Sequence, residues 1–237
     1  MIRVRGLTKT FQTAEGLVPV LDIPAWDAAR GSRLAIVGPS GCGKSTLLHM
    51  LSGMVKADAG ETVVDGQPLH KLKEAERDAF RASRIGYVMQ DFHLLPALTA
   101  KQNVELVMER SSSGDKKKRL EQWFERIGLA ERMNHLPSQL SRGQQQRVAV
   151  VRALINRPPL VLADEPTGSL DWETANDVMA LLLSLCKDDG LTLITVTHDL
   201  HLAKRFDGCV SMDEINRLHR TAGKSYSASE MSVVSGS

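Results

Sequence analysis

Residues 34–45 read Leu34-Ala-Ile-Val-Gly-Pro-Ser-Gly-Cys-Gly-Lys-Ser45, and the order of residue types in this stretch decides the fold class. An apolar run of four stops at Gly38, a glycine-rich turn follows, and Lys44, Ser45 and Thr46 open a stretch that continues as a helix through Leu47 to Met50. The pattern G-x-x-x-x-G-K-[ST] between a buried strand and a helix is that of a phosphate-binding loop. Glycine lets backbone N–H groups close around an anion, and the start of the following helix adds positive partial charge. Gly38, Pro39, Ser40, Gly41, Cys42, Gly43, Lys44, Ser45 and Thr46 are therefore the expected contacts of a nucleotide's phosphates, with Lys44 on the β- and γ-phosphates and Ser45 on Mg²⁺. Cys42 fills a free position of the pattern, so its thiol needs no redox role.

Working outward, short apolar runs alternate with helical patterns, as in a mostly parallel sheet covered by helices. Leu160-Val-Leu-Ala163 and residues 191–196 read as further buried strands, and Gly53 as the stop of the helix after the loop. The strands end at Asp164-Glu165 and His198-Asp199, and functional residues of open α/β sheets collect at such carboxyl ends. One acid there can hold a magnesium shell while the next polarises an attacking water. Leu140-Ser-Arg-Gly-Gln144 precedes an amphipathic helix over 145–156. Ser141 and Gln144 fit a capping box, and the same glycine-containing helix start suits an anion.

Residues 67–140 are rich in helix formers and charge, with one strand at 85–89, and read as a helical insertion. Within it 111–115 reads as a flexible turn and Lys116-Lys-Lys-Arg119 as the solvated opening of the next helix. Residues 208–218 weakly resemble a closing hairpin, and the Ser-rich 221–237 reads as a disordered tail.

Composition excludes several classes. The 30 basic against 28 acidic residues leave a net charge of +2, without the concentrated basic excess of a nucleic-acid binder. Cys42, Cys186 and Cys209 show no CxxC spacing, which argues against a disulfide framework or zinc site and fits a reducing cytoplasm. His198 and His201 fall on one helical face, but no third ligand accompanies them. The first ten residues carry charges without the apolar core of a secretory signal. The apolar stretch 178–183 is far short of the ~20 residues that span a bilayer, so membrane association would come through a partner.

The phosphate loop, Gln90, Leu140-Ser-Arg-Gly-Gln144, Asp164-Glu165, Ser169-Leu-Asp171 and His198, in this order, resemble an ABC-type ATPase over residues 2–207. The resemblance implies a phosphate-loop NTPase core with an N-terminal antiparallel β subdomain and an inserted α-helical subdomain, in one ATP-binding domain over 1–220. It implies ATP and Mg²⁺ as cofactors and a homodimer packed head to tail, with Ser141, Gly143 and Gln144 of one subunit at the γ-phosphate held by the other. By the same resemblance Glu165 is the general base and His198 contacts the γ-phosphate. Asp171 links the two sites, Asp164 and Gln90 join Ser45 around the metal, and Phe11 stacks on adenine. Arg142 departs from the family's usual glycine and adds a cation beside the expected trans site.

Residues 87–104 look like the segment of the bacterial subgroup that serves lipoprotein release, macrolide-type export and cell-division complexes. The expectation is a stand-alone ATPase on the inner face of the plasma membrane, docked near residues 90–103 under separate transmembrane permease subunits and not touching the transported substrate. Two rivals are a nucleic-acid clamp of the chromosome or repair type and a transport-free signalling ATPase. The clamp would need a long coiled coil between loop and signature, and this chain has no heptad seam there.

Overall fold

The computed structural model describes residues 1–108 and 113–219. The chain opens with two long strands, β1 (Ile2–Thr13) and β2 (Gly16–Ala28), before β3 (Arg33–Val37) and α1 (Lys44–Leu51). Two short strands, β4 (Ala59–Val64) and β5 (Gln67–Pro68), rejoin the first pair, and α2 (Glu74–Arg84) leads into β6 (Ile85–Val88). Helices α3 (Ala100–Glu105), α4 (Ser113–Arg126) and α5 (Arg142–Leu154) follow, then β7 (Leu160–Asp164) and α6 (Trp172–Asp188). The described part closes with β8 (Thr192–Thr197), α7 (Leu200–Ala203), β9 (Gly208–Ser211) and α8 (Met212–Ile215).

Two sheets result: an antiparallel one in the order β2-β1-β4-β5 and a parallel one in the order β6-β7-β8-β3-β9. Both faces of the parallel sheet are covered, so its strands are apolar throughout and show no alternation in sequence. The alternation exists in space. Val161, Ala163, Ala35, Val37 and Leu193 pack with Val104, Phe124, Val151, Leu154 and Leu182 of the helical layer. Leu160, Leu162, Ile36, Ile194 and Val196 pack instead with Leu47, Leu48 and Leu51 of α1 and with Val4, Leu7 and Ile23 of the antiparallel sheet. Helix α1 thus shares one core with both sheets. Gly86 lets β6 meet α5, because a Cβ there would lie 2.3 Å from the Ala153 carbonyl oxygen.

The fold class is as expected, and Gly53 ends α1 in the left-handed conformation at φ 75°. Of residues 67–140, Gln67–Pro68 belongs to the antiparallel sheet and Ile85–Val88 to the parallel one. Two expectations are corrected. Residues 113–115 form the first turn of α4 instead of a turn before Lys116, while 111–112 lie outside the described residues, as does the tail 221–237. The stretch 208–218 is no hairpin: β9 pairs parallel with β3, and Ser211 Oγ accepts the Asp213 N–H to start α8. The free edge of β3 supplies the pairing that the short segment cannot provide for itself.

This C-terminal segment anchors the phosphate loop. Fully buried Asn216 donates from Nδ2 to the carbonyls of Val20 (2.9 Å) and Cys42 (3.4 Å), and its Oδ1 accepts the Asp22 N–H (2.9 Å). Val20 is the extra residue of a β-bulge, since Lys9 pairs with Leu21 and Thr10 with Pro19. Asn216→Ala leaves these backbone groups unpaired in the interior and is expected to cost about 1–3 kcal/mol, read as a lower urea midpoint with an unchanged slope.

Candidate active site

Val37 hands the chain to the loop 38–43, and Gly43 in the left-handed region (φ 93°) starts α1 with no side-chain cap. The helix therefore presents its first N–H groups toward the loop, the geometry that favours an anion. Two glycines also serve close packing. A Cβ on Gly38 would lie 2.8 Å from Cys42 Sγ, and one on Gly43 would lie 2.7 Å from Leu21 Cδ2. Lys44 is only 7% exposed, and its ammonium donates to the carbonyls of Gly38 (2.7 Å) and Pro39 (2.9 Å). Two neutral carbonyls satisfy a desolvated cation less well than a phosphate would. Burial pushes the Cys42 thiol up, against the pull of nearby Lys44.

The parallel register brings the other functional strand ends level with this loop. Val37 pairs with Thr197, and Asp164 with Val196. Ser45 Oγ donates to Asp164 Oδ1 at 2.9 Å. Burial holds the Asp164 carboxyl above its usual range, with the Ser45 hydrogen bond and the positive charge of His49 and Lys44 pulling the other way. Glu165 sits in the left-handed region at φ 44°, an uncommon conformation for a residue with a Cβ. It is held there by its own N–H donating to Val196 O (3.0 Å) and by its carbonyl accepting the Gly168 N–H (3.0 Å). His198 Nδ1 lies 2.9 Å from Glu165 Oε2, so Nδ1 carries the proton that the carboxylate accepts.

Ser141 Oγ accepts the Gln144 N–H (3.2 Å) and Gln144 Oε1 accepts the Ser141 N–H (3.0 Å), which completes the capping box. Gly143 is buried against α6, where a Cβ would meet Thr174 Cγ2 at 2.4 Å. Asp171 caps α6 by accepting the Thr174 N–H (3.0 Å), a bond that lowers its pKa. Gln90 is exposed beside the turn that carries Glu165, its Nε2 3.4 Å from the place of a Cβ on Gly168. The Arg142 guanidinium lies over the Phe92 ring, 5.7 Å from its centre, which gives this unusual residue a partner in its own chain. Phe11, 37% exposed on β1, pairs with Val18 beyond the Val20 bulge and carries the Lys9 ammonium 5.1 Å from its ring centre.

Two further side chains tie this region together. Fully buried Gln146 donates from Nε2 to the Pro166 carbonyl, joining α5 to the turn after Glu165. Arg152 donates to the carbonyls of Phe92 (2.8 Å) and His93 (2.6 Å), joining α5 to the segment after Gln90. The sequence held a signal for the first: residues 146, 150 and 154 share one helical face, and Val150 and Leu154 are fully buried. None marks Arg152, whose partners are carbonyls about 60 residues away.

A family model described as ABC transporter matches residues 21–168, more than half of the chain. The ABC transporter ATP-binding protein YbbA of Escherichia coli K12 is 43% identical over 214 residues, covering 90% of this chain and 94% of that protein. The lipoprotein-releasing system ATP-binding protein LolD 2 of Caulobacter vibrioides is 39% identical, covering 90% and 95%. A dimeric structure of the ATP-binding cassette MJ0796 bound to ADP and Pi superposes with a TM-score of 0.81 at 36% identity, covering 91% and 94%. With the phosphate loop, the two strand-end acids and the capped signature helix placed as described, this chain belongs to the ABC transporter family as an ATP-binding, ATP-hydrolysing subunit.

Proposed function

We propose that two copies of this chain close head to tail on Mg-ATP and pass that closure to separate permease subunits, with the ATPase at the inner face of the plasma membrane. The carrying observation is where the expected site residues stand. Loop 38–46, Asp164, Glu165 and His198 share one sheet edge, while exposed Ser141 caps a helix that makes no hydrogen bond to residues 38–46 among the described residues. A second copy supplies the missing half. The MJ0796 cassette is itself dimeric in its ADP- and Pi-bound state, which supports the reading.

In this reading Lys44 and the N–H groups at the start of α1 bind and orient the phosphates. Glu165, oriented by His198, takes the proton of the attacking water, and His198 contacts the γ-phosphate. Ser141, Gly143 and Gln144 of the second copy face that phosphate, Asp171 couples the two sites, and Phe11 offers its ring to adenine. Magnesium, when bound, would neutralise charge building between the β- and γ-phosphates. Ser45, Asp164 and Gln90 would hold it: they are hard oxygen donors, and the desolvated Asp164 carboxyl has most to gain from a cation.

The docking surface lies next to Gln90. Buried Asn103 shapes the segment before α3 by accepting the Leu95 N–H (2.7 Å) and donating to the carbonyls of Leu98 and Thr99 (both 3.0 Å). Leu95 on that segment, and Leu106 and Val107 just after α3, stand 50%, 61% and 43% exposed, apolar side chains suited to a permease's cytoplasmic helix. Among the described residues no helix is long and apolar enough to cross a membrane. The kinship with LolD favours work of the lipoprotein-release type.

Glu165→Gln keeps the phosphate cradle but removes the base, so it is expected to bind ATP and accumulate as a dimer; monomeric mass by light scattering at saturating ATP contradicts the two-copy site. For Asp164 the sign is set by its raised folded pKa. Stability from the neutral carboxyl is full below the unfolded value and lost as pH rises through the folded one, so the ionised group costs stability at neutral pH. Asp164→Asn should therefore melt above the parent at pH 7, with the gap closing toward about pH 4, while ATPase activity falls about a hundredfold or more. Chain immobilised on beads should recover a multi-span protein from detergent-solubilised membranes, and Leu95→Glu with Leu106→Glu should abolish that recovery; nucleic acid in its place supports a clamp.

A further inference from the structure

Trp172 is the first residue of α6, directly after the Asp171 cap, and is 71% exposed, whereas Trp26 and Trp123 are 7% and 3% exposed. A lone apolar residue at a surface usually needs no explanation. An indole is different, because it is the side chain with the most area to gain from being covered and the commonest anchor of protein interfaces.

The surroundings identify what covers it. The backbone beneath it is fixed, since Asp171 caps the helix through Thr174 and the Trp172 carbonyl accepts Asn176 Nδ2 at 2.7 Å. Thr174, two residues on, packs against Gly143, so the starts of α5 and α6 lie side by side. Trp172 therefore follows directly on Asp171 and opens the helix that lies beside the one Ser141 caps, and Asp171, Ser141 and Gly143 are residues that meet the second copy in the reading above. Asp171 and Glu173, its neighbours in the chain, are exposed with it, an aromatic side chain with a charged rim. The apolar side chains offered to the permease, Leu95, Leu106 and Val107, stand before and just after α3, on a different stretch of the chain from the start of α6.

We propose that Trp172 is an anchor of the homodimer, buried against a second copy of this chain when ATP closes the pair and exposed in the single subunit. The inference rests on the two-copy reading, and the test separates the two. It uses the full chain carrying Glu165→Gln, with light scattering and iodide quenching of tryptophan emission measured on the same samples. With saturating Mg-ATP the mass should double, the emission should shift to the blue and the iodide-accessible fraction should drop several-fold; with ADP none of these should change. Trp172→Ala in this background should raise the protein concentration needed for dimerisation about tenfold or more, and Trp172→Phe should recover part of that loss. A dimer whose tryptophan stays open to iodide, or Trp172→Ala dimerising at the parent's concentration, overturns the anchor while leaving the dimer intact. A monomer at saturating ATP overturns the two-copy reading and the anchor with it.

Discussion

The parallel hydrogen bonding of β3 to β8 and of β8 to β7 is the interaction on which the rest of the molecule depends. Parallel strands point their carboxyl ends the same way, and here the register also makes those ends level: Val37 stands beside Thr197, and Asp164 beside Val196. The phosphate loop lies more than 100 residues before the acid pair and His198 in the chain, yet all share one edge. The ladder reaches one residue past β7, where the Glu165 N–H still donates to Val196 O while the backbone turns into the left-handed region. That single bond fixes where the carboxylate begins.

Chemistry at this edge is held against local preference. Glu165 adopts a backbone conformation that its Cβ disfavours, Asp164 carries a carboxyl that burial would rather keep neutral, and Lys44 buries its ammonium on two carbonyls. Such features persist only when the surroundings over-determine them. Here Asn216 ties the loop to β2, the Val20 bulge leans on Gly43, and His198 and Gln146 steady the turn around Glu165. Stability of the scaffold offsets strain in the site.

Helix α5 is the element through which these parts touch. From one helix, Gly143 packs on α6, Gln146 holds the turn after Glu165, and Arg142 and Arg152 engage the segment after Gln90. Arg142, at odds with the family's glycine, has its cation over Phe92. The segment 90–93 is therefore bound to the same helix that Ser141 caps.

Much of the candidate site's arrangement was legible in sequence because its requirements are local. A loop that must turn tightly around an anion needs glycine at fixed offsets, a helix start needs Ser141 with Gln144 three residues on, and an acid at a strand end follows directly from the apolar run before it. What stayed hidden was made by residues far apart in the chain. Asn216 reaches Val20 and Asp22 across nearly 200 positions, Arg152 finds carbonyls 60 residues back, and β9 becomes a strand because β3 has an edge to pair with. The start of α4 was misplaced because 113–115 carry turn-forming residues that nonetheless join the helix. The glycine loop, the strand-end acids and the capped start of α5 could be read locally, since each is imposed by backbone geometry within a few residues. Only the tertiary structure decided which strand ends stand level, which glutamine and arginine hold them, and that one tryptophan of three is left at the surface, because register and burial are settled by contacts between segments that no local pattern records.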